Sequence, residues 1–69
     1  MSQTIEFSVT GMTCDHCVHA VTTAAKDVPG VTDVKVSLED KKAIVTGDAV
    51  DTAKVIAAIE EEGYEAAVV

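Results

Sequence analysis

The fold is decided by residues 4–18, which read TIEFSVTGMTCDHCV. Polar and apolar side chains alternate over residues 4–9, and this period of two is typical of a half-buried strand. Turn-forming residues at 10–13 interrupt the alternation, and from Cys14 onward the apolar side chains recur at helical spacing. The stretch therefore predicts a strand, a glycine-containing loop and a helix, with Cys14 where the loop enters the helix.

The same two periods predict three more strands and a second helix in the rest of the chain. Pro29-Gly30 ends the first helix, and Gly63 ends the second. The predicted elements after the first helix are a strand over 33–38, a charged hairpin connection over 39–42, a strand over 43–46, a helix capped by Asp51 or Thr52, and a strand over 64–69.

This order of strands and helices predicts an α+β fold, a ferredoxin-like β-α-β-β-α-β sandwich. Its economical solution is a four-stranded antiparallel sheet with both helices on one face. Right-handed crossovers make the first two strands parallel, with the third strand antiparallel between them. Three loops then share one end of the molecule. The chain of 69 residues has room for a single domain over 1–69. The residues gathered at the shared end are Cys14, Cys17, Lys41, Lys42 and Tyr64.

The charge balance restricts the classes of partner. Five lysines, no arginine and twelve acidic residues give a net charge of −7. A nucleic-acid backbone or an anionic membrane surface would be repelled, whereas a basic protein surface would be attracted. No apolar run approaches the roughly 20 residues that span a bilayer, and no signal-peptide pattern is visible at the N-terminus. We therefore expect no nucleic-acid binding, no membrane association and a cytoplasmic location.

Both cysteines of the chain lie within residues 14–17, which read CDHC. A helix N-terminus stabilises thiolates through its partial positive charge and free N–H groups. Two thiolates suit Cu(I) at low coordination number, whereas structural zinc generally requires four ligands. We predict that Cys14 and Cys17 are the metal ligands. His16, which lies between them, either tunes the thiols or has no role, and His19 is predicted to be a solvated helix residue.

Two alternatives stay open at this point. A C-x-x-C element at a helix start is also typical of thiol–disulfide oxidoreductases. That reading ranks below metal binding because the chain has no tryptophan and its one proline, Pro29, ends the first helix instead of facing the cysteines. A mercury-binding carrier is the second alternative, because two thiolates also suit Hg(II). No catalytic base or phosphate loop is apparent, so we do not expect an enzyme.

Residues 11–17, which read GMTCDHC, together with residues 29–31 and Gly63-Tyr64, resemble the heavy-metal-associated (HMA) domain family over essentially the whole chain. Within that family the chain looks like a bacterial cytosolic copper chaperone. The resemblance implies that Cys14 and Cys17 hold Cu(I) and pass it to the metal-binding domain of a copper-exporting P-type ATPase, with a copper-responsive repressor as a second candidate partner.

The resemblance also bears on two residues beside the thiols. It implies that Met12 packs under the loop as apolar support and does not ligate the metal, in keeping with methionine's use as a core filler. Tyr64 either shields the site and hydrogen-bonds a thiolate, or caps the core with its ring. Cys14 is expected to be the more solvent-facing thiol and to exchange first. We expect a monomer without metal, and a Cu(I)-bridged homodimer on loading because two loops offer four thiolates.

Overall fold

Six elements follow one another in the predicted order in a computed structural model that describes residues 2–69. Each strand and helix foreseen from the periodicity is present. The bounds are β1 (Gln3–Thr10), α1 (Asp15–Lys26), β2 (Val31–Ser37), β3 (Lys42–Gly47), α2 (Thr52–Glu61) and β4 (Glu65–Val68).

The strands form one sheet in the order β2-β3-β1-β4, and every neighbouring pair is antiparallel. Because β3 lies antiparallel between β1 and β2, the two outer members of this trio run parallel, as right-handed crossovers require. Both helices contribute to one core on one face of the sheet, with Val21 and Ala25 from α1 and Val55 and Ile59 from α2. The ferredoxin-like sandwich is confirmed.

The core is aliphatic apart from one ring. Phe7 is completely buried at the centre of β1, in the alternating register that the sequence predicts. The opposite face of the sheet is open: Ile44 of β3 is 38% exposed there, and Lys42 Nζ lies 3.5 Å from Glu6 Oε1. Lys42 is therefore paired along the sheet, although the topology had placed it in the neighbourhood of the cysteines.

The element ends differ slightly from the prediction. Helix α1 stops at Lys26, although Val28, the last member of its apolar stripe, is still buried in the turn that follows. The reason is Pro29, which disfavours helical backbone in the residue before it. Strand β2 ends at Ser37, and Leu38 packs against the core from the hairpin turn. Strand β3, predicted over 43–46, spans Lys42–Gly47 and is one residue longer at each end.

The start of α2 agrees with the prediction, whereas β4 is shorter than predicted and spans Glu65–Val68. The carboxylate of Asp51 caps α2 by accepting a hydrogen bond from the Ala53 N–H at 3.0 Å. Tyr64 directly precedes β4 and does not belong to the strand. No helix within residues 2–69 is long and apolar enough to cross a membrane.

Candidate metal centre

The loop that carries the first cysteine is shaped by Gly11 and anchored by Met12. Gly11 has a φ of +104°, in the left-handed region that glycine adopts without steric cost. A Cβ at this position would lie 3.3 Å from Cδ1 of the Tyr64 ring, so glycine also allows the ring to approach the loop closely. Met12 is only 7% exposed and belongs to the hydrophobic core. Met12 thus anchors the loop in the hydrophobic core, and Cys14 remains at the surface.

Cys14 is the N-cap of α1. Its backbone is extended, with φ −158° and ψ 175°, and its carbonyl accepts the first helical hydrogen bonds from the N–H groups of Cys17 at 3.0 Å and Val18 at 3.3 Å. The thiol makes no capping hydrogen bond. Serine, threonine, aspartate and asparagine are the usual residues here because their side chains satisfy an orphan N–H. The Cys14 side chain leaves these groups without a cap, and the partial positive charge of a helix N-terminus favours negative charge beside it.

The two sulfurs face one another. Cys14 Sγ lies 3.8 Å from Cys17 Sγ, and both cysteines are free, far beyond the roughly 2.05 Å of a disulfide. Cys14 is exposed and Cys17 is half-buried against the core, as their places at the cap and on the apolar stripe predict. Among residues 2–69 no group of three or more histidine, cysteine or acidic side chains is arranged to hold a metal ion. The two thiols themselves form a pair of soft donors 3.8 Å apart.

Hydrogen bonds hold the pKa of the Cys17 thiol well below its usual range, at about 6. The largest cause is the backbone of Thr13, followed by the hydroxyl of Tyr64 and then the hydroxyl of Thr13, whose Oγ1 lies 3.8 Å from Cys17 Sγ. Partial burial acts in the opposite direction, and the backbone of Cys14 adds a smaller lowering contribution. Donors aimed at the sulfur stabilise the thiolate, so Cys17 is largely ionised at neutral pH.

Tyr64 reaches the thiols from the far end of the chain. Gly63, with a φ of +95°, closes α2 by donating its N–H to the Glu60 carbonyl at 3.0 Å, and the chain then turns toward β4. This turn brings Tyr64 toward the thiols, where its hydroxyl helps to lower the pKa of Cys17. The pKa of Tyr64 is raised, first because the phenol would lose its hydrogen bond to Cys17 on ionising, and further by burial and by the negative charge of the thiolates.

The other predicted residues lie on the rim of the site. His16 is exposed on α1, where it lines a shallow depression together with Asp15 and His19. Lys41 is joined to β1 through its backbone, because its carbonyl accepts a hydrogen bond from the Val9 N–H at 2.9 Å. Thr13 was not among the predicted site residues. Its signal in the sequence is the spacing of four residues to Cys17, the distance of one helical turn.

The chain is thus a ferredoxin-like sandwich that carries a pair of free thiols at the start of its first helix. The model of the heavy-metal-associated domain matches residues 6–65, and the chain belongs to this family.

Relatives in the family have different metals in their names. The copper chaperone CopZ of Enterococcus hirae is 44% identical over 66 residues, covering 93% of this chain and 96% of the relative. The periplasmic component of the mercuric transport protein of Serratia marcescens is 41% identical over 69 residues, covering 97% of this chain and 76% of the relative. The crystal structure of a copper binding domain from HMA7, a P-type ATPase, has a TM-score of 0.92 and 35% identity, covering 100% of this chain and 95% of that domain.

Proposed function

We propose that this protein is a cytoplasmic copper chaperone. It binds Cu(I) through Cys14 and Cys17 and delivers the ion to the metal-binding domain of a copper-exporting P-type ATPase. The observation that carries the proposal is the pair of free thiols, 3.8 Å apart at an exposed helix N-terminus, with the pKa of Cys17 held at about 6. The similarity to the CopZ chaperone, over nearly its full length, supports copper as the cargo.

The distance between the sulfurs suits capture of a soft ion. With bonds as long as the roughly 2.3 Å of a zinc–thiolate bond, a linear two-coordinate arrangement separates its sulfurs by about 4.6 Å. The present separation is 3.8 Å, so the pair needs to open by less than about 1 Å. Cys14 can provide this movement because it is exposed and its thiol is not engaged as a cap. Cys17 is held by Thr13 and Tyr64 and supplies the fixed ligand.

The order of delivery follows from the difference in exposure between Cys14 and Cys17. An acceptor cysteine loses its proton as it bonds to the ion, the bond to Cys14 breaks, and the Cys14 thiolate takes up a proton. A second acceptor thiolate then displaces Cys17 in the same way. The copper stays Cu(I) and no electron moves, so the chaperone transfers an ion without catalysing a reaction. We place Cys17 last because it is half-buried against the core and less accessible to an acceptor thiol, whereas Cys14 faces solvent.

The test is anaerobic titration of the reduced protein with Cu(I) against a chromogenic Cu(I) chelator, beside the Cys14→Ser and Cys17→Ser variants. The proposal requires tight binding in the wild type and its loss in both variants. Intact-protein mass and sedimentation should be followed during the titration. More than one copper per chain together with a doubled mass would assign the loaded form to a Cu(I)-bridged homodimer. Binding that survives either substitution would refute the dithiolate site.

A mercury carrier is the second candidate, favoured by the 41% identity to the mercuric transport component. Hg(II) also forms low-coordinate complexes with soft thiolates, so the ligands alone do not separate the two ions. The relative rates of transfer address the difference: a copper chaperone should pass Cu(I) to the apo ATPase domain faster than it passes Hg(II), and a mercury carrier should show the opposite order. A dithiol oxidoreductase would bind neither ion productively and would instead reduce a protein disulfide at a steady rate.

A further inference from the structure

Strand β2 is an edge of the sheet and has no partner on its outer side. Within residues 2–69 the strand order is β2-β3-β1-β4, so β3 is the one strand that pairs with β2. The pairing is regular from Asp33 to Ser37, and a register shift lies between Val31 and Asp33. An edge strand presents a row of backbone N–H and C=O groups that can pair with another chain. The regular part of β2 therefore offers a template for a further strand.

The charged side chains of β2 are one anion and one cation. Asp33 and Lys35 are both exposed, and they lie on the face of the sheet opposite the helices, because Val34 between them is buried in the core. Within residues 2–69 no salt bridge joins either of them to another residue. The edge is thus neutral in a chain whose net charge is −7, and both of its charges are free to meet a partner.

These two charges are complementary to a second copy of the same strand. Antiparallel pairing of two β2 strands about Val34 puts Asp33 opposite Lys35 of the second copy, and Lys35 opposite Asp33 of the second copy. Opposite charges directly across an antiparallel pair are stabilising, whereas like charges there are destabilising. Sliding the strands to the next register would put Asp33 opposite Asp33 or Lys35 opposite Lys35. The charges therefore favour a single register.

We propose that β2 is a self-association site, at which two copies of this chain join their four-stranded sheets into one continuous sheet without metal. A two-fold axis passes between the two Val34 residues, and the helices of both copies lie on the same face of the joined sheet. The other edge of the sheet, β4, does not offer this complementarity. Its one charged residue is Glu65, so pairing two copies of β4 would bring only negative charges together.

The contact is small, so the dimer is weak and reversible. The seven residues of β2 extend over about 23 Å. A strand pair of this length buries less than the roughly 1,200 Å² of a standard stable interface, and two copies of net charge −7 repel each other at long range. We expect a Kd of about 0.1–1 mM. At the micromolar concentrations of a copper titration the metal-free protein is then a monomer, which distinguishes this dimer from the Cu(I)-bridged one.

Pairing through β2 leaves the thiol pairs uncovered. The loop before Cys14 lies beside the Tyr64 ring, because a Cβ on Gly11 would come within 3.3 Å of it, and Tyr64 directly precedes β4. Strands β4 and β2 are opposite edges of the sheet, three strand spacings or about 14 Å apart. Each copy in the dimer therefore keeps an exposed Cys14, and the self-association stands or falls independently of the proposed function.

The decisive experiment reverses the two charges in reduced, metal-free protein. Sedimentation equilibrium between about 20 µM and 2 mM gives the Kd of each variant. Asp33→Lys and Lys35→Glu each place like charges opposite one another, and each should raise the Kd at least about tenfold. The double variant Asp33→Lys/Lys35→Glu has the net charge of the wild type and should return to within about threefold of its Kd. An equimolar mixture of the two single variants should form a heterodimer, because each supplies the charges that the other lacks.

The matched controls are Glu60→Lys and Lys54→Glu, which change the net charge by the same amounts at exposed positions of α2. Each should stay within about twofold of the wild-type Kd. Single variants that behave like these controls would overturn the proposal, because they would reduce the effect to net charge. A wild type that remains monomeric at about 2 mM would also overturn it, as would a double variant and a mixture that both fail to associate.

A measurement on the wild type alone locates the contact without any substitution. Backbone amide resonances are followed by nuclear magnetic resonance as the metal-free protein is diluted from about 2 mM to 50 µM. The largest shifts should fall within residues 31–37. Shifts centred on residues 65–68 would assign the association to the other edge of the sheet, and shifts centred on residues 11–17 would assign it to the thiol loop. Either result would contradict self-association through β2.

Discussion

Replacing Tyr64 by phenylalanine should make Cys17 a weaker acid. The substitution keeps the ring beside Gly11 and removes only the hydroxyl, which is the second largest cause of the low pKa of Cys17. The thiol has a pKa of about 6 and is about 90% ionised at pH 7. If the hydroxyl supplies about a third of the stabilisation, its loss raises the pKa to about 7. At pH 6 the thiolate fraction then falls from about 50% to about 9%, or roughly fivefold.

The assay is the rate of alkylation of Cys17 by iodoacetamide between pH 5 and pH 9, with Cys14 and Cys17 distinguished by peptide mass spectrometry. The mid-point of the profile for Cys17 should move to higher pH in Tyr64→Phe, and the rate at pH 6 should drop about fivefold. His16→Ala is the comparison variant, because it separates the tyrosine hydroxyl from any effect of imidazolium charge. A Tyr64→Phe profile that superimposes on the wild type would refute the reasoning.

Three further predictions concern stability. Cys14→Ser should raise the free energy of unfolding by about 0.5–1 kcal/mol while abolishing Cu(I) binding, because serine caps α1 where cysteine makes no capping bond; a lower urea midpoint would contradict this. Ala49→Gly should stabilise the fold by about 0.5–1 kcal/mol in the same assay, since Ala49 has a φ of +54° and glycine removes the steric cost; an unchanged midpoint would show that the loop carries no strain. Because the folded-state pKa of Cys17 is depressed to about 6, its ionisation stabilises the reduced protein above the unfolded thiol's pKa of about 8.5, and this contribution is lost as the pH falls through about 6. The free energy of unfolding of the wild type and of Cys17→Ala is measured as a function of pH. The difference between the two profiles should isolate the contribution of Cys17, and parallel profiles would exclude it.

The thiol pair could be located from the sequence because its features are local. The change of period near Gly11, the position of Cys14 at the helix start and the three-residue spacing to Cys17 all lie within one loop and one helical turn. These features predict which thiol is exposed and which is half-buried, and the structure agrees. Thr13 was overlooked because threonine before a helix is ordinarily read as a turn or cap residue, whereas here the hydroxyl faces a sulfur.

Tyr64 shows the limit of that reasoning. Its place at the end of α2 was evident, but its two possible roles, ring cap or hydroxyl donor, could not be separated along the chain. The choice depends on the turn at Gly63 and on the close approach that Gly11 permits. The two glycines are visible in the sequence. They do not tell how near the Tyr64 hydroxyl comes to the Cys17 sulfur, because the two residues lie far apart in the chain.

The sequence by itself determined the order of the elements, the aliphatic inner faces and the placement of two thiols at a helix N-terminus, because periodicity, capping and spacing act between near neighbours. Only the tertiary structure decided that the Tyr64 ring packs beside Gly11 and against the core, and that Lys42 pairs with Glu6 along the sheet. These contacts depend on strand register and on how the helices pack over the sheet, which are set by the burial of the whole core at once.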